Sequence, residues 1–146
     1  MDELTRAGAV RLAQLQAEEQ HMTSGNVSLE TDVRGLLEAV DSKDAASLGR
    51  YFADGIVFRF GNSDPVGGKA AVLDTCVEFL AGIAGISHDI QHLWQVAPDW
   101  VVAVMTVHYT RHDGGTLSLP CANTFRFSDG KVAQYRIFMD INPVFA

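Results

Sequence analysis

The fold of this chain is decided by residues 85–110, which read GISHDIQHLWQVAPDWVVAVMTVHYT. Before this stretch, apolar residues recur with the helical period of about 3.6, and from Gly85 onward the period falls to about two, which is typical of strands. Pro98 and Asp99 divide the stretch into strands near 87–96 and 101–110. Helices first and strands afterwards indicate an α+β fold.

Two further strands are predicted towards the C-terminus, at 116–127 and 131–141. The turn sequences Asp113-Gly114-Gly115 and Ser128-Asp129-Gly130 bound them. Because short connections join antiparallel neighbours, the four consecutive strands are expected to form a meander. Pro120 lies inside the third of them, where its missing N–H predicts a bulge or a locally exposed edge.

Two helices are predicted towards the N-terminus. Ser28 can cap a first helix whose apolar stripe ends near Asp41, and Asp44 can cap a short second helix that runs to Phe52.

A strand at 56–60 and a Gly/Pro-rich loop to Gly68 lead into a third helix, predicted at 69–84, with a strong apolar face. We expect a cone-shaped barrel in which a curved, mainly antiparallel sheet wraps around this long helix.

The composition predicts one soluble globular domain at 28–146, preceded by a helical appendage and linker at 1–27. The net charge of -7 and the lack of a Lys/Arg cluster argue against a nucleic-acid partner. Residues 1–22 contain no apolar run of the kind that a signal peptide or membrane span needs, so no membrane partner and a cytoplasmic location are expected.

Neither metal nor another cofactor is expected. Cys76 and Cys121 fall in a helical and a strand pattern, which suits reduced core thiols. His88 and His92 lie four residues apart on a strand, hence about 13 Å from each other, too far to share one ion.

Four polar residues interrupt apolar elements: Asp41, His88, His108 and Asn123. A polar group in a core costs free energy unless it has a partner, so several that point into one interior predict a lined pocket. Strand parity places Val104, Thr106 and His108 on one side of their strand, and Leu119, Cys121 and Asn123 on one side of theirs.

The predicted pocket is apolar and suits a small hydrophobic or polycyclic ligand. Its predicted lining is Val40, Phe58, Phe60, Phe79, Ile83, Val104, Thr106, Leu119, Cys121, Asn123, Ile137 and Met139.

The order of elements, together with Asp44-Ala45-Ala46-Ser47-Leu48, Tyr51-Phe52-Ala53-Asp54 and Asp129-Gly130-Lys131-Val132, resembles the nuclear transport factor 2-like superfamily, and within it the SnoaL-like branch. The resemblance covers residues 29–145 and implies a cone whose interior is a pocket. It leaves the function open, because the superfamily includes isomerases, dehydratases, epoxide hydrolases, polyketide cyclases and non-enzymatic modules.

The chain is similar in layout to limonene epoxide hydrolase, but the positions of that enzyme's catalytic Asp-Arg-Asp set fall on Val104, Thr106 and Ile137. Its water-holding Tyr and Asn fall on Phe58 and Phe60. Because Val and Ile cannot transfer protons, the comparison argues against epoxide hydrolysis by that mechanism.

Scytalone dehydratase resembles this chain more closely where chemistry is concerned. Its acidic residue after the first helix resembles Asp41, its two histidines resemble His88 and His108, and its Ser-x-Asn strand resembles residues 121–123. Its two water-holding tyrosines have no counterpart here. The resemblance therefore implies Asp41, His88 and His108 as catalytic candidates.

An Asp that accepts a hydrogen bond from one ring nitrogen of a histidine fixes the tautomer, so that the other nitrogen can take a proton from carbon beside a carbonyl. Asp41 could pair with either His88 or His108, and the second histidine with Asn123 could then orient or protonate the developing oxygen. This chemistry predicts a cofactor-independent, dehydratase-like lyase or isomerase.

Two alternatives stay open. In a non-catalytic binding module the histidines are partly buried sheet residues and Asp41 caps a helix end. In a polyketide cyclase, which the resemblance also permits, Asp140 is the acid/base. A homodimer is expected in either case, because Trp94, Tyr109 and Phe125 are placed on the outer sheet face, which commonly pairs in this superfamily.

Overall fold

The structure, a computed structural model, describes residues 28–146, and its elements follow the predicted order. Helices α1 (Leu29–Asp41) and α2 (Ala45–Gly49) come first, followed by strands β1 (Phe52–Phe60) and β2 (Val66–Gly67) and helix α3 (Lys69–Ala81). Strands β3 (Gly85–Ala97), β4 (Trp100–Thr110), β5 (Thr116–Ser128) and β6 (Lys131–Phe138) precede the short helix α4 (Asn142–Phe145). The predicted appendage at 1–27 lies outside the described residues.

The strands form one six-stranded sheet in the order β2-β1-β6-β5-β4-β3. β1 and β6 run parallel, and the other neighbours are antiparallel. The predicted α+β class and curved, mainly antiparallel sheet are confirmed. The sheet is open where a barrel was expected, because its two edge strands, β2 and β3, lie at opposite ends of the described order.

Helix α1 forms where the sequence predicts it and delivers Asp41 to the sheet. Ser28 Oγ accepts a hydrogen bond from the Thr31 backbone N–H at 3.1 Å, and Glu30 and Asp32 complement the helix dipole in the first turn. One face of the helix is buried and packs against β3. Asp41 is therefore the last helical residue, beside β3.

Two local predictions about the meander are confirmed. Asp129 and Gly130 have φ angles of 50° and 76°, as a two-residue type I′ hairpin turn requires. Pro120 pairs with Thr106 of β4, whereas pairing of β5 with β6 starts only at Ala122, so Pro120 lies at a local edge. The β4–β5 register runs through Pro120 without a bulge.

Several boundaries differ from the prediction. The second helix ends at Gly49 and not at Phe52, and β1 begins at Phe52 and not at residue 56. Helix α3 ends at Ala81 because Gly82 caps it, and not at residue 84. Strand β6 ends at Phe138, before residue 141, because the chain turns into α4, with Pro143 in its first turn.

The register of β4 and β5 decides which side chains share a face. Met105 lies opposite Cys121, and Ala103 lies opposite Asn123, so odd-numbered residues of the two strands point the same way. This inner face buries Val101, Ala103, Met105, Val107 and Tyr109 under the helices. Even-numbered residues of β4 and β5 form the outer face.

Candidate active site

A cavity of about 230 Å³ lies between the inner face and helix α3. Its wall is mostly apolar and aromatic. Of the residues predicted to form the site, Val40, Phe58, Phe60, Phe79, His88, Cys121, Asn123, Ile137 and Met139 line it. The cavity is thus built from both layers, with α3 on one side and the sheet on the other.

Asp41 and His88 form a hydrogen-bonded pair at the wall of the cavity. Asp41 Oδ1 lies 2.5 Å from His88 Nδ1, and Asp41 Oδ2 accepts from the His88 backbone N–H at 3.0 Å. Both oxygens of the Asp41 carboxylate therefore form hydrogen bonds with His88. The pair links the end of α1 to β3, although the two residues lie 47 positions apart in the sequence.

The pairing determines which ring nitrogen is available to a ligand. A carboxylate can only accept hydrogen bonds, so His88 Nδ1 carries the hydrogen and Nε2 keeps its lone pair. The His88 side chain is 8% exposed and lines the cavity, whereas Asp41 is 27% exposed and faces a separate groove towards solvent. The geometry is that of an oriented base.

Asn123 is a second polar group in the cavity wall. It is 1% exposed, and its Oδ1 accepts a hydrogen bond from the Cys121 thiol at 3.3 Å. Its Nδ2 finds no hydrogen-bond partner among residues 28–146. Since a buried donor without a partner costs free energy, this amide is suited to bind an acceptor atom of a ligand.

The other ionisable side chains of the cavity are neutral at physiological pH. Burial raises the pKa of the Cys76 and Cys121 thiols to about 12. Burial also raises the pKa of the Tyr109 and Tyr135 phenols above the usual value. Cys121 is therefore no ready nucleophile.

The prediction that His108 lines the cavity is wrong. His108 is exposed on the outer face, where its Nδ1 lies 2.6 Å from Ser118 Oγ. Val104 and Thr106 share this face, and Thr106 Oγ1 accepts from Gln91 there. The prediction combined even residues of β4 with odd residues of β5, which the observed register places on opposite faces of the sheet. A shift of one residue moves every side chain of a strand to the other face.

Asp41 does not line the cavity itself but contacts His88, which does. Three further predicted residues also lie outside the cavity wall. Ile83 is fully buried in the connection after α3, and its carbonyl accepts from Lys43 Nζ. Leu119 is on the inner face but beyond the cavity. Asp140 is exposed in an adjoining groove, where it accepts from the Asn142 backbone N–H at 3.0 Å.

Two of the three residues predicted for a dimer surface also lie on the opposite face of the sheet. Tyr109 and Phe125 are 3% and 0% exposed, on the inner face, and Tyr109 donates a hydrogen bond to Met139 Sδ. Trp94 is 48% exposed and, as the partner of Val102, lies on the outer face.

Half of the residues in the cavity wall were not predicted from the sequence: Ser63, Thr75, Cys76, Leu80, Ile86, Val107, Tyr109, Tyr135 and Ile141. One signal could have found Val107 and Tyr109. The odd residues of β5 from Leu117 to Phe127 form an unbroken apolar row apart from Asn123, and the five-residue connection at 111–115 pairs them with odd residues of β4.

Among residues 28–146, no three His, Cys, Asp or Glu side chains cluster as a metal site would require. In the same range, no helix has the length and hydropathy needed to cross a bilayer. A bulge between Ile90 and His92 also turns His92 to the outer face, away from His88.

Solved structures with the same fold are numerous. An NTF2-like protein of unknown function from Burkholderia pseudomallei shares 17% identity, with a TM-score of 0.73 over 82% of this chain and 100% of that chain. A Shewanella denitrificans protein described as a SnoaL-like polyketide cyclase shares 17% identity, with a TM-score of 0.68 over 80% and 93% of the two chains. An LEH-like epoxide hydrolase from M. tuberculosis shares 15%, with a TM-score of 0.68 over 79% and 84%.

No curated protein sequence is significantly similar to this chain. At these identities the solved structures establish the fold and leave the chemistry to the site itself. A family model described as a SnoaL-like domain matches residues 33–135, which contain Asp41, His88 and Asn123. This protein therefore belongs to the SnoaL-like domain family.

Proposed function

We propose that this protein is a cofactor-independent lyase or isomerase that removes a proton from a carbon beside a carbonyl group of a small hydrophobic or polycyclic ligand. The observation that carries the proposal is the Asp41–His88 pair, with its 2.5 Å contact, at the wall of an apolar cavity. In this proposal His88 is the catalytic residue. Asp41 is a positioning residue, because it acts through the ring of His88.

The proton transfer would begin at His88 Nε2, which accepts the proton from carbon. The C–H electron pair becomes a C–C double bond, and the carbonyl π pair moves onto oxygen. In a conjugated ligand this charge spreads further, and Asn123 Nδ2 donates a hydrogen bond to the remote oxygen that receives it. The oxygen pair then re-forms the carbonyl. In an isomerase the conjugated carbon pair takes the proton from the imidazolium at another carbon, and in a lyase it forms the new double bond as the C–O bond breaks and the imidazolium protonates the departing hydroxyl, which leaves as water.

The positions of the two polar groups favour an extended ligand. His88 pairs with Val107 of β4, whereas Asn123 pairs with Ala103 of the same strand. Four residues of β4 correspond to about 13 Å along the strand, and His88 and Asn123 lie on the two strands that flank β4. A ligand in contact with both groups is therefore a fused-ring or conjugated carbonyl compound in which charge can spread from carbon to a remote oxygen.

Two alternatives make different use of the same cavity. A polyketide cyclase that uses Asp140 has little support, because that carboxylate lies outside the cavity. A cyclisation that starts with removal of a proton by His88 shares the proposed first step. A non-catalytic module would bind the same apolar ligands without proton transfer.

The proposal is tested by hydrogen–deuterium exchange of 2-tetralone, a bicyclic ketone with acidic protons beside its carbonyl. Proton NMR in deuterated buffer should show faster exchange with the protein than with buffer alone. His88→Gln should lower the protein-dependent rate by about 100-fold or more, since general-base catalysis contributes about that much. Binding of the ketone, measured by titration calorimetry, should change little.

The matched control is His108→Gln, the same substitution at an exposed ring on the outer face. This variant should exchange the ketone at the rate of the parent protein. If the parent protein does not accelerate exchange, or if His88→Gln exchanges as fast as the parent, the binding-module alternative is favoured.

A further inference from the structure

We propose that the natural ligand carries an anionic oxygen group, such as a carboxylate, which binds Arg59 and Arg136 in a groove that adjoins the cavity. The inference rests on the proposed function in one respect, namely that the apolar body of the ligand occupies the cavity. It adds a second point of attachment and a chemical class, an amphipathic anion.

The groove and the cavity share part of their walls. The groove has a volume of about 870 Å³ and lies where β1 and β6 end. Phe60, Ser63, Met139 and Ile141 line both spaces. In this proposal a ligand whose rings lie in the cavity extends past these four residues into the groove.

The groove is polar and contains two guanidinium groups side by side. Arg59 and Arg136 are paired neighbours on β1 and β6, so their backbones lie about 4.8 Å apart. Arg59 Nε donates to the Ser63 carbonyl at 3.0 Å, and the Arg136 guanidinium lies 4.6 Å above the centre of the Phe138 ring. These contacts position both cations without neutralising either.

No Asp or Glu of residues 28–146 lies within ion-pair distance of either arginine. Both side chains are half-buried, and two such cations side by side repel each other. The chain has a net charge of -7, so two adjacent cations without a nearby carboxylate partner differ from its overall acidic character. An anion between the two groups would relieve the repulsion, and a guanidinium presents a planar donor set that suits carboxylate oxygens.

Asp140 also lines the groove, and its charge must be included. Its Oδ1 accepts the Asn142 backbone N–H, so the carboxylate is engaged at the start of α4. Two guanidinium groups and one carboxylate leave a net positive charge, which favours an anionic group over a neutral one.

The test compares naphthalene derivatives that carry a carboxylate on a tether of one, two or three methylene groups with the corresponding neutral amides. Titration calorimetry at low ionic strength should show tighter binding of the carboxylate, by about three- to tenfold at the best tether length, as expected for partly exposed charges. In the double variant Arg59→Gln/Arg136→Gln the ratio should fall to about one, with amide binding unchanged. Arg126→Gln, a half-buried arginine outside the groove, should keep the preference.

An equal affinity for acids and amides at every tether length would overturn the inference, and so would a preference that persists in the double variant. Exchange of 2-tetralone does not involve the groove, so the two proposals fail separately. A carboxylate preference without ketone exchange would support an anion-binding module. Ketone exchange without a carboxylate preference would leave the proposed enzyme and remove the anionic subsite.

Discussion

The orientation of one imidazole ring is the residue-scale feature on which the proposed chemistry depends. Asp41→Asn keeps the shape of the side chain but offers an NH2 group that can donate to His88 Nδ1, which would move the ring hydrogen to Nε2. The ketone exchange rate should then fall by about 100-fold. Nitrogen-15 NMR of the His88 ring should show the change of tautomer, a signature that loss of packing alone does not produce.

Asp113→Asn is the control for this experiment, because Asp113 forms an exposed ion pair with Arg111 and neither residue lines the cavity. It should leave both the exchange rate and the His88 spectrum unchanged. An Asp41→Asn variant with normal exchange would show that the carboxylate has no part in orienting the base.

Because the Asn123 amide has no partner, we expect its replacement to stabilise the protein, whereas most core substitutions destabilise it. A buried donor without a partner costs about 1–3 kcal/mol, so Asn123→Leu should raise the free energy of unfolding by about 1 kcal/mol. Urea denaturation of the parent and the variant checks this expectation, and a loss of stability would indicate that Nδ2 has a partner in the folded protein.

At the scale of elements, strand β4 shows how much could be predicted from the sequence. The change of period at Gly85 identified the strands and their order along the chain, because apolar residues recur at every second position of each strand. The same alternation did not identify the inner face of β4, since both faces are apolar: Val101 and Val107 point inward while Val102 and Val104 point outward. A central strand with two apolar faces has no preferred side in its own composition.

The candidate site was predicted only in part, because alternation along one strand does not identify its inner face. Asp41 and His88 were identified as polar interruptions, and their contact follows from the end of α1 and the position of β3. His108 was chosen by the same criterion, although a polar residue on a two-sided strand can equally well face solvent. The parity of residues on one strand cannot decide between these cases, and the pairing register with the neighbouring strand is needed.

Two substitutions at neighbouring positions of β4 test the inner and outer faces. Val107→Asp places a carboxylate in the apolar cavity wall and should lower the free energy of unfolding by about 3 kcal/mol or more. His108→Asp, on the exposed face, should change it by less than about 1 kcal/mol. Urea titration of both variants provides the measurement, and similar losses in the two would contradict the assigned faces.

At the scale of the whole molecule, the outer sheet face is the surface on which we propose that two copies associate. Trp94 is 48% exposed on it, beside Val102 and Val104 of β4. A large exposed aromatic side chain with apolar neighbours suits such an association. Light scattering at micromolar concentration should give twice 15.9 kDa.

Substitutions separate this surface from other exposed apolar residues. Trp94→Glu should shift the mass to 15.9 kDa. Val77→Glu, at a position 47% exposed on α3, should leave it unchanged. A parent protein that is monomeric throughout this concentration range would rule the association out.

The placement of His88 on a single wall of the cavity also has a stereochemical consequence. Every other ionisable side chain lining the cavity is kept protonated by burial, so one ring both takes and returns the proton from one direction. A prochiral carbon held against that wall exposes only one of its two hydrogens. A cyclic ketone incubated in deuterated water should therefore gain its first deuterium in one configuration, and the product released early in the reaction should be chiral by virtue of the isotope alone.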